Sequence, residues 1–191
     1  MLITGTASYE QCGAKRIVED QLSNYNITNF RNFAVNPKIQ DAEMGVKLAL
    51  EKNIDLILAI GGGSVLDMAK LIKAFMPCPD TARECVLGIQ EVVDSNIPLI
   101  AVPTTAGSGS EATSFAVVYI GEHKYSLAAE CLLPNIAMLD GTLLSSCPKY
   151  LRAVNGLDAL AQAIESTWSV GATKESQEIS LQAVETIWRT L

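Results

Sequence analysis

A hydrophobic strand that runs directly into three glycines and then into a helix is the feature that most constrains this chain. Residues 55–60 are apolar after the first, Gly61, Gly62 and Gly63 follow, and a helical pattern covers residues 64–75. Glycines at such a turn let the backbone approach a ligand closely and adopt positive φ. The N–H groups that open the helix, together with its dipole, form an anion site. The segment predicts a pyrophosphate-binding turn, although a tight structural turn would explain it as well.

The glycine turn belongs to neither of the two best-known phosphate motifs. It is not G-x-G-x-x-G, and it is not a P-loop because no Gly-Lys-Ser/Thr follows. Asp67 lies three residues after Ser64, where a carboxylate also interacts favourably with the helix dipole. The sequence therefore leaves two roles open for Asp67, a structural one and a contact with a bound cofactor.

A second polar loop follows the next apolar run, which covers residues 98–102. It reads Pro103-Thr104-Thr105-Ala106-Gly107-Ser108-Gly109-Ser110-Glu111. In an open α/β sheet, ligands lie beyond the carboxyl ends of the strands. Two hydroxyl- and glycine-rich loops after two buried strands favour ligand binding over a purely structural role.

The remaining pattern alternates short apolar runs with helical stretches, which predicts βαβ units and a parallel sheet. The predicted strands cover residues 1–4, 30–35, 55–60, 98–102 and 136–139, and the predicted helices cover 13–23, 39–52 and 64–75. Two β-rich runs between residues 113 and 130 predict an antiparallel hairpin. From Pro148, interpreted as an N1 proline, two helices are predicted over 149–168 and 174–190. The fold class is α/β, with a dinucleotide-binding domain over residues 1–147 and the start of an all-α domain over residues 148–191.

Composition excludes several kinds of partner. The 191 residues carry a net charge of −7, which argues against nucleic acid because there is no basic stripe to neutralise phosphates. The apolar run at 54–60 is too short to span a membrane, and the N-terminus lacks the features of a signal peptide. Five cysteines without metal-ligand spacing favour small buried thiols over a disulfide scaffold, so we expect a cytoplasmic protein.

Three segments together resemble the iron-containing (group III) alcohol dehydrogenases. They are the run from Gly61 to Asp67, the loop from Pro103 to Glu111, and Gly156-Leu157-Asp158-Ala159-Leu160-Ala161-Gln162-Ala163-Ile164-Glu165-Ser166. The resemblance implies an oxidoreductase that transfers a hydride between NAD(P)H and a small aldehyde or alcohol, usually with a divalent metal such as iron or zinc. It also implies an α/β domain followed by a helical metal domain, and it leaves a homodimer open.

The resemblance assigns roles to particular positions, none of them catalytic. The pyrophosphate and the nicotinamide ribose would be held by residues next to Gly61, namely Gly62, Gly63, Ser64 and Asp67. Thr104, Thr105 and Ser108 would line the adenosine and phosphate path. Lys124 matches a lysine near the cofactor ribose, and Leu143 falls where a backbone contact to adenosine is usual.

The metal ligands of the family are matched only in part. The family pattern is an aspartate, a histidine four residues later and two further histidines. Asp158 matches the aspartate, but the next ligand position holds Gln162, and the chain has one histidine, His123. The i, i+4 spacing puts Asp158 and Gln162 on one helix face. An amide oxygen is a poorer ligand for a transition metal than an imidazole nitrogen, so a core or capping role for Gln162 stays open beside a coordinating one.

Two further departures concern the cofactor and the extent of the chain. Many NAD-preferring members carry an acidic residue after the first strand, where this chain has Gly5 followed by Thr6 and Ser8. Because a carboxylate there would repel a 2′-phosphate, its absence favours NADP over NAD. The chain is also expected to be a truncated form that binds nucleotide weakly and does not turn over.

Several readings of the function remain open. Gln162 in its local context looks most like the branch of the family that reduces phosphonoacetaldehyde, without separating it from enzymes of plain short-chain aldehydes. A dehydroquinate-synthase-like cyclase shares the Gly-Gly-Gly-Ser turn and the two-domain plan. A non-catalytic nucleotide-binding paralogue is the third alternative, and Gln162 favours it.

Overall fold

A computed structural model describes residues 1–191 of the chain. The strands are β1 (Leu2–Thr4), β2 (Asn29–Phe30), β3 (Ile57–Gly61), β4 (Leu99–Pro103), β5 (Phe115–Ile120), β6 (His123–Ala128) and β7 (Ile136–Ala137). The α-helices are α1 (Ser8–Gln11), α2 (Ala14–Gln21), α3 (Ile39–Glu51), α4 (Gly63–Phe75), α5 (Ala82–Val86), α6 (Lys149–Trp168) and α7 (Lys174–Thr190). No helix combines the length and the apolar character needed to cross a membrane.

The central sheet has five parallel strands in the order β2-β1-β3-β4-β7. Its middle strand β3 is apolar along its length, and Ile57 and Ala59 are fully buried. A strand that helices cover on both faces needs an unbroken apolar run rather than alternation. The predicted α/β fold with a parallel sheet is confirmed.

Helix α4 lies at the centre of the hydrophobic core. Apart from Asp67, every residue from Val65 to Phe75 is buried. The predicted hairpin is confirmed as the antiparallel pair β5–β6, and β5 packs against α4. The core of the α/β part therefore fixes the helix that starts at the glycine turn.

Two buried lysines on α4 bond to the chain around the hairpin. The Nζ of Lys70 donates to the carbonyl oxygens of Thr113 at 2.7 Å and Phe115 at 2.8 Å. The Nζ of Lys73 donates to the carbonyl oxygen of Cys131 at 2.8 Å. Because a buried ammonium needs acceptors, these carbonyls hold the hairpin against the helix.

The structure corrects several predicted elements. The strand expected over residues 30–35 is limited to Asn29–Phe30, and the ring of Phe30 stacks on Phe33 with centroids 5.5 Å apart. The last strand is two residues long instead of four. Pro148 is the N-cap of α6 rather than its first helical residue. The short helices α1 and α5 were not predicted, because four or five residues are too few to show helical periodicity.

The chain divides into two compact units. One contains residues 1–104 and 110–146, and the other contains residues 105–109 and 147–191. The loop at 105–109, which the sequence placed in the first domain, thus groups with the helices α6 and α7. Within that second unit α6 and α7 pack on each other, and Ser180 donates to the carbonyl oxygen of Ser176 at 2.7 Å and contacts the hydroxyl of Ser166.

Candidate functional site

The order of the strands defines one crevice at the carboxyl edge of the sheet. The chain passes from β1 to β2 on one side and then returns to place β3 on the other side of β1. Ligands of open α/β sheets bind at such a switch in strand order, outside the carboxyl ends of the strands. Gly5 follows β1, and Gly61 ends β3. The glycine turn therefore lies at the switch point.

Gly61 is required by close packing and not by backbone conformation. A Cβ at Gly61 would lie 2.5 Å from Cγ2 and 2.6 Å from Cβ of Val65, in the first turn of α4. The glycines with positive φ are Gly13, Gly88, Gly109 and Gly121, so the positive φ expected for the turn at 61–63 is wrong. The missing side chain lets the strand end lie directly against the start of the helix.

The N-terminus of α4 presents backbone amides without a side-chain cap. Gly62 is the N-cap residue, its backbone is extended, and no side chain accepts a hydrogen bond from the first turn. Gly62, Gly63 and Ser64 are all half-buried. The hydroxyl of Ser64 accepts from the backbone N–H of Asn36 at 3.3 Å, which leaves its own proton for donation. These groups can bind an anion at the positive end of the helix dipole.

Thr104 sits beside the glycine turn with an unsatisfied hydroxyl. Its backbone N–H donates to the carbonyl oxygen of Gly61 at 2.9 Å. Its side-chain oxygen is buried and has no hydrogen-bond partner within the protein. Buried hydroxyls without a partner are rare, and they are explained by bound water, an ion or a ligand.

Asp67 is held by the protein itself. One carboxylate oxygen accepts from the hydroxyl of Ser110 at 2.7 Å, and the other accepts from the backbone N–H of Val117 at 3.2 Å. Burial raises the pKa of Asp67. That rise is partly offset by the hydrogen bonds from Ser110 and Val117 and by the positive charges of Lys70 and Lys124. These contacts favour the structural one of the two roles that the sequence left open.

Lys124 and Leu143 occupy different environments in the α/β unit. Lys124 is exposed on β6, opposite Tyr119, and its charge acts on Asp67. Leu143 is buried in a short 3-10 helix, Gly141–Leu144, and joins an apolar cluster with Ile60 and Val102. The side chain of Leu143 therefore stabilises the sheet, and the predicted backbone contact to adenosine stays a prediction.

Four predicted site residues belong to the second unit. Thr105 is half-buried and Ser108 is exposed in the loop at 105–109. Asp158 and Gln162 are exposed on α6, where the amide nitrogen of Gln162 donates to the carboxylate of Asp158 at 2.9 Å. No group of three or more histidine, cysteine, aspartate or glutamate side chains comes together anywhere in the chain. One carboxylate bonded to an amide is an incomplete donor set, so these residues do not by themselves fit a transition metal.

Sequence reasoning missed the residues that hold the site in place. Sequence reasoning gave no role to Ser110, in the polar loop at 103–111, and it did not single out Lys70. A lysine three residues after Asp67 inside an otherwise apolar helix is a signal for a buried, bonded ammonium. The partners of both residues lie more than forty positions away, and no local pattern identifies them.

Comparisons with known proteins match this chain to one family. The family model described as iron-containing alcohol dehydrogenase matches residues 1–141. The probable alcohol dehydrogenase EutG of Escherichia coli strain K12 is 36% identical over 157 residues, which are 81% of this chain and 40% of that protein. The curated relatives are thus longer, and the chain spans less than half the length of EutG.

Solved structures show the same fold over almost the whole chain. An iron-containing alcohol dehydrogenase from Thermococcus thioreducens has a TM-score of 0.89 and 27% identity, covering 98% of this chain and 52% of that one. A sulfoacetaldehyde reductase from Bifidobacterium kashiwanohense, solved in complex with NAD+, has a TM-score of 0.91 and 25% identity, covering 98% and 50%.

Proposed function

Because the chain belongs to the iron-containing alcohol dehydrogenase family, we propose that it binds a nicotinamide dinucleotide in an oxidoreductase of small aldehydes and alcohols. The observation that carries the proposal is the position of the uncapped glycine turn at the switch in strand order, between the carboxyl ends of β1 and β3. That crevice is where an open α/β sheet binds a dinucleotide.

The residues around the turn suit a pyrophosphate. The backbone N–H groups of Gly63 and Ser64, and the hydroxyl proton of Ser64, would donate to the phosphate oxygens. The unsatisfied hydroxyl of Thr104 would gain a partner close to the same turn. Asp67 would act as a positioning residue, since its carboxylate is bonded to Ser110 and Val117.

When bound, the nicotinamide would exchange a hydride with the carbonyl carbon of the substrate. The chain's own residues bind and orient the dinucleotide, and none of them is assigned as a catalytic acid or base. Asp158 and Gln162 do not make a metal centre on their own. We further propose that these 191 residues bind the dinucleotide without turnover, since relatives of the family are about twice as long.

We propose NADP(H) as the preferred dinucleotide. Gly5 carries no carboxylate to accept from a ribose 2′-hydroxyl or to repel a 2′-phosphate. A Cβ at Gly5 would lie 2.7 Å from the hydroxyl oxygen of Ser8, so a hydroxyl donor lies directly beside the position where the carboxylate is missing. A clearly tighter complex with NADH than with NADPH would contradict this preference.

Among small aldehydes we propose an anionic one of the phosphonoacetaldehyde type. The sequence around Gln162 supports this choice, and so does the similarity to a sulfoacetaldehyde reductase, which acts on an aldehyde with an acidic group.

The alternative of a dehydroquinate-synthase-like cyclase is not supported by the family model, because that model describes alcohol dehydrogenases. The alternative of a non-catalytic paralogue makes a different prediction. A longer protein that contains these 191 residues would then bind the dinucleotide but would not transfer a hydride.

The test fills the anion site with the protein's own carboxylate. Gly62 is an extended N-cap, so Gly62→Asp would place an accepting carboxylate on the amides of α4 without straining the backbone. We expect this variant to lose NADPH binding, measured by fluorescence titration, while its thermal unfolding is unchanged. Gly171→Asp adds the same charge in open space, in the second unit, and serves as the control. NADPH binding by Gly62→Asp at the affinity of the unsubstituted chain would overturn the proposal.

A further inference from the structure

The pairing of β1 with β2 brings an arginine to the carboxyl edge of the sheet. Leu2 pairs with Asn29 and Ile3 pairs with Phe30 in parallel register. Arg31 is the residue that directly follows the paired end of β2, and Thr4 and Gly5 follow the paired Ile3 on β1. Arg31 therefore leaves the sheet at the same edge as the strand end where the family's acidic residue is missing.

The guanidinium of Arg31 lies close to the helix that starts at Ser8. Its Nη1 is 4.0 Å from Oε1 of Glu10, in α1. The same carboxylate oxygen accepts a hydrogen bond from Nζ of Lys15 at 3.0 Å. Two cations therefore share one carboxylate, and the bonded partner of Glu10 is Lys15. Arg31 approaches that carboxylate only to 4.0 Å, whereas Lys15 forms the hydrogen bond to it.

Gly5 lies close both to Ser8 and to the helix that leaves the glycine turn. The position of a Cβ on Gly5 would be 2.7 Å from Oγ of Ser8 and 3.8 Å from Cγ2 of Val65. Val65 is in the first turn of α4, whose amides form the anion site. The loop that begins at Arg31 also reaches that helix, since the N–H of Asn36 bonds to Ser64. The charge on Arg31 and the pyrophosphate site thus border the same edge.

We propose that Arg31 selects NADP(H) over NAD(H) by binding the 2′-phosphate of the adenosine ribose, with the hydroxyl of Ser8 as a second donor. This inference rests on the proposed function and names the residue that sets its cofactor preference. A guanidinium presents a planar fork of donors that fits a phosphate, and hydrogen bonds between two charged groups are stronger than neutral ones. NAD(H) has only a hydroxyl at this position and gains little from the charge.

A purely structural ion pair is the competing explanation for Arg31. Its side chain is 55% exposed and that of Glu10 is 50% exposed. Exposed ion pairs contribute little to stability, so replacing Arg31 should leave the fold intact. The difference between NADPH and NADH affinity therefore separates selection from structure.

The experiment compares the dissociation constants of NADPH and NADH, measured by fluorescence titration. We expect Arg31→Gln to weaken NADPH binding about tenfold or more and to leave NADH binding unchanged. Arg31→Lys keeps the charge and loses the planar set of donors. Its NADPH dissociation constant should therefore lie between those of the unsubstituted chain and Arg31→Gln. Arg83→Gln removes an exposed arginine on α5 and should alter neither constant. Glu10→Gln removes the nearby negative charge and should tighten NADPH binding alone.

Two results would overturn the inference, and they are distinguishable. If the unsubstituted chain binds NADPH and Arg31→Gln weakens both dinucleotides equally or neither, Arg31 does not select the cofactor and the proposed function stands. If the unsubstituted chain binds neither dinucleotide, the proposed function fails and this inference fails with it.

Discussion

The carboxylate of Asp67 accepts a hydrogen bond from the hydroxyl of Ser110 at 2.7 Å, across 43 positions of sequence. The bond joins the helix that leaves the glycine turn to the loop that follows β4. The second carboxylate oxygen of Asp67 accepts from the N–H of Val117 and so extends the connection to the hairpin. The residue that the family resemblance assigns to the cofactor thus holds together the elements that surround the proposed anion site.

Replacing Asp67 should destabilise the chain through this connection. We expect Asp67→Ala to cost about 1–3 kcal/mol in the free energy of unfolding, since it removes the carboxylate that accepts hydrogen bonds from the Val117 N–H and from Ser110. Urea denaturation of Asp67→Ala, Ser110→Ala and the double variant would measure the coupling. Asp20→Ala, at an exposed position on α2, is the control. Strictly additive effects would show that the two side chains are not coupled.

The stability of the chain should depend on pH through Lys70. Burial lowers the pKa of Lys70 from 10.5 to about 8. Between those pH values the unfolded chain holds a proton that the folded chain has released, so the folded state becomes more stable as the pH rises. The free energy of unfolding should therefore increase relative to that of Lys70→Met by at most about 3 kcal/mol across this window. Parallel curves for the two proteins, measured by denaturation at several pH values, would contradict the assignment.

The end of β3 should not tolerate even a methyl group. Gly61→Ala would bring a Cβ to 2.5 Å from the side chain of Val65, and both belong to packed elements. We expect a loss of about 1–3 kcal/mol in the free energy of unfolding, the usual cost of overpacking. Gly141→Ala meets no atom within 4 Å and should leave stability nearly unchanged. Equal thermal stability of the two variants would show that the turn adjusts freely.

The five thiols should react at very different rates. Cys78 and Cys85 are buried with their sulfur atoms 3.4 Å apart, and burial raises the pKa of Cys85 to about 12. The other three cysteines, Cys12, Cys131 and Cys147, are half-buried, and burial raises the pKa of Cys131. Because the thiolate is the reactive form, alkylation of the native chain should modify Cys12 and Cys147 first. Mass spectrometry after brief iodoacetamide treatment measures this order, and early labelling of Cys85 would contradict it.

Local patterns were sufficient for much of the fold. The helices over Lys149–Trp168 and Lys174–Thr190 and the hairpin have the predicted bounds or lie within them, because periodicity and turn residues are local properties. The edge strands were predicted too long. Their apolar residues continue past the paired segment, and side-chain hydrophobicity does not report where backbone pairing stops.

The sequence by itself determined the fold class, the glycine turn and the polar loop after β4, since each depends on residues that are close together along the chain. Only the tertiary structure decided that Asp67 bonds to Ser110, that Lys70 holds the hairpin and that Arg31 lies 4.0 Å from Glu10. These relationships join residues 21 to 45 positions apart. They depend on strand order, register and the packing of a helix against a sheet, and therefore on contacts that no short stretch of sequence contains.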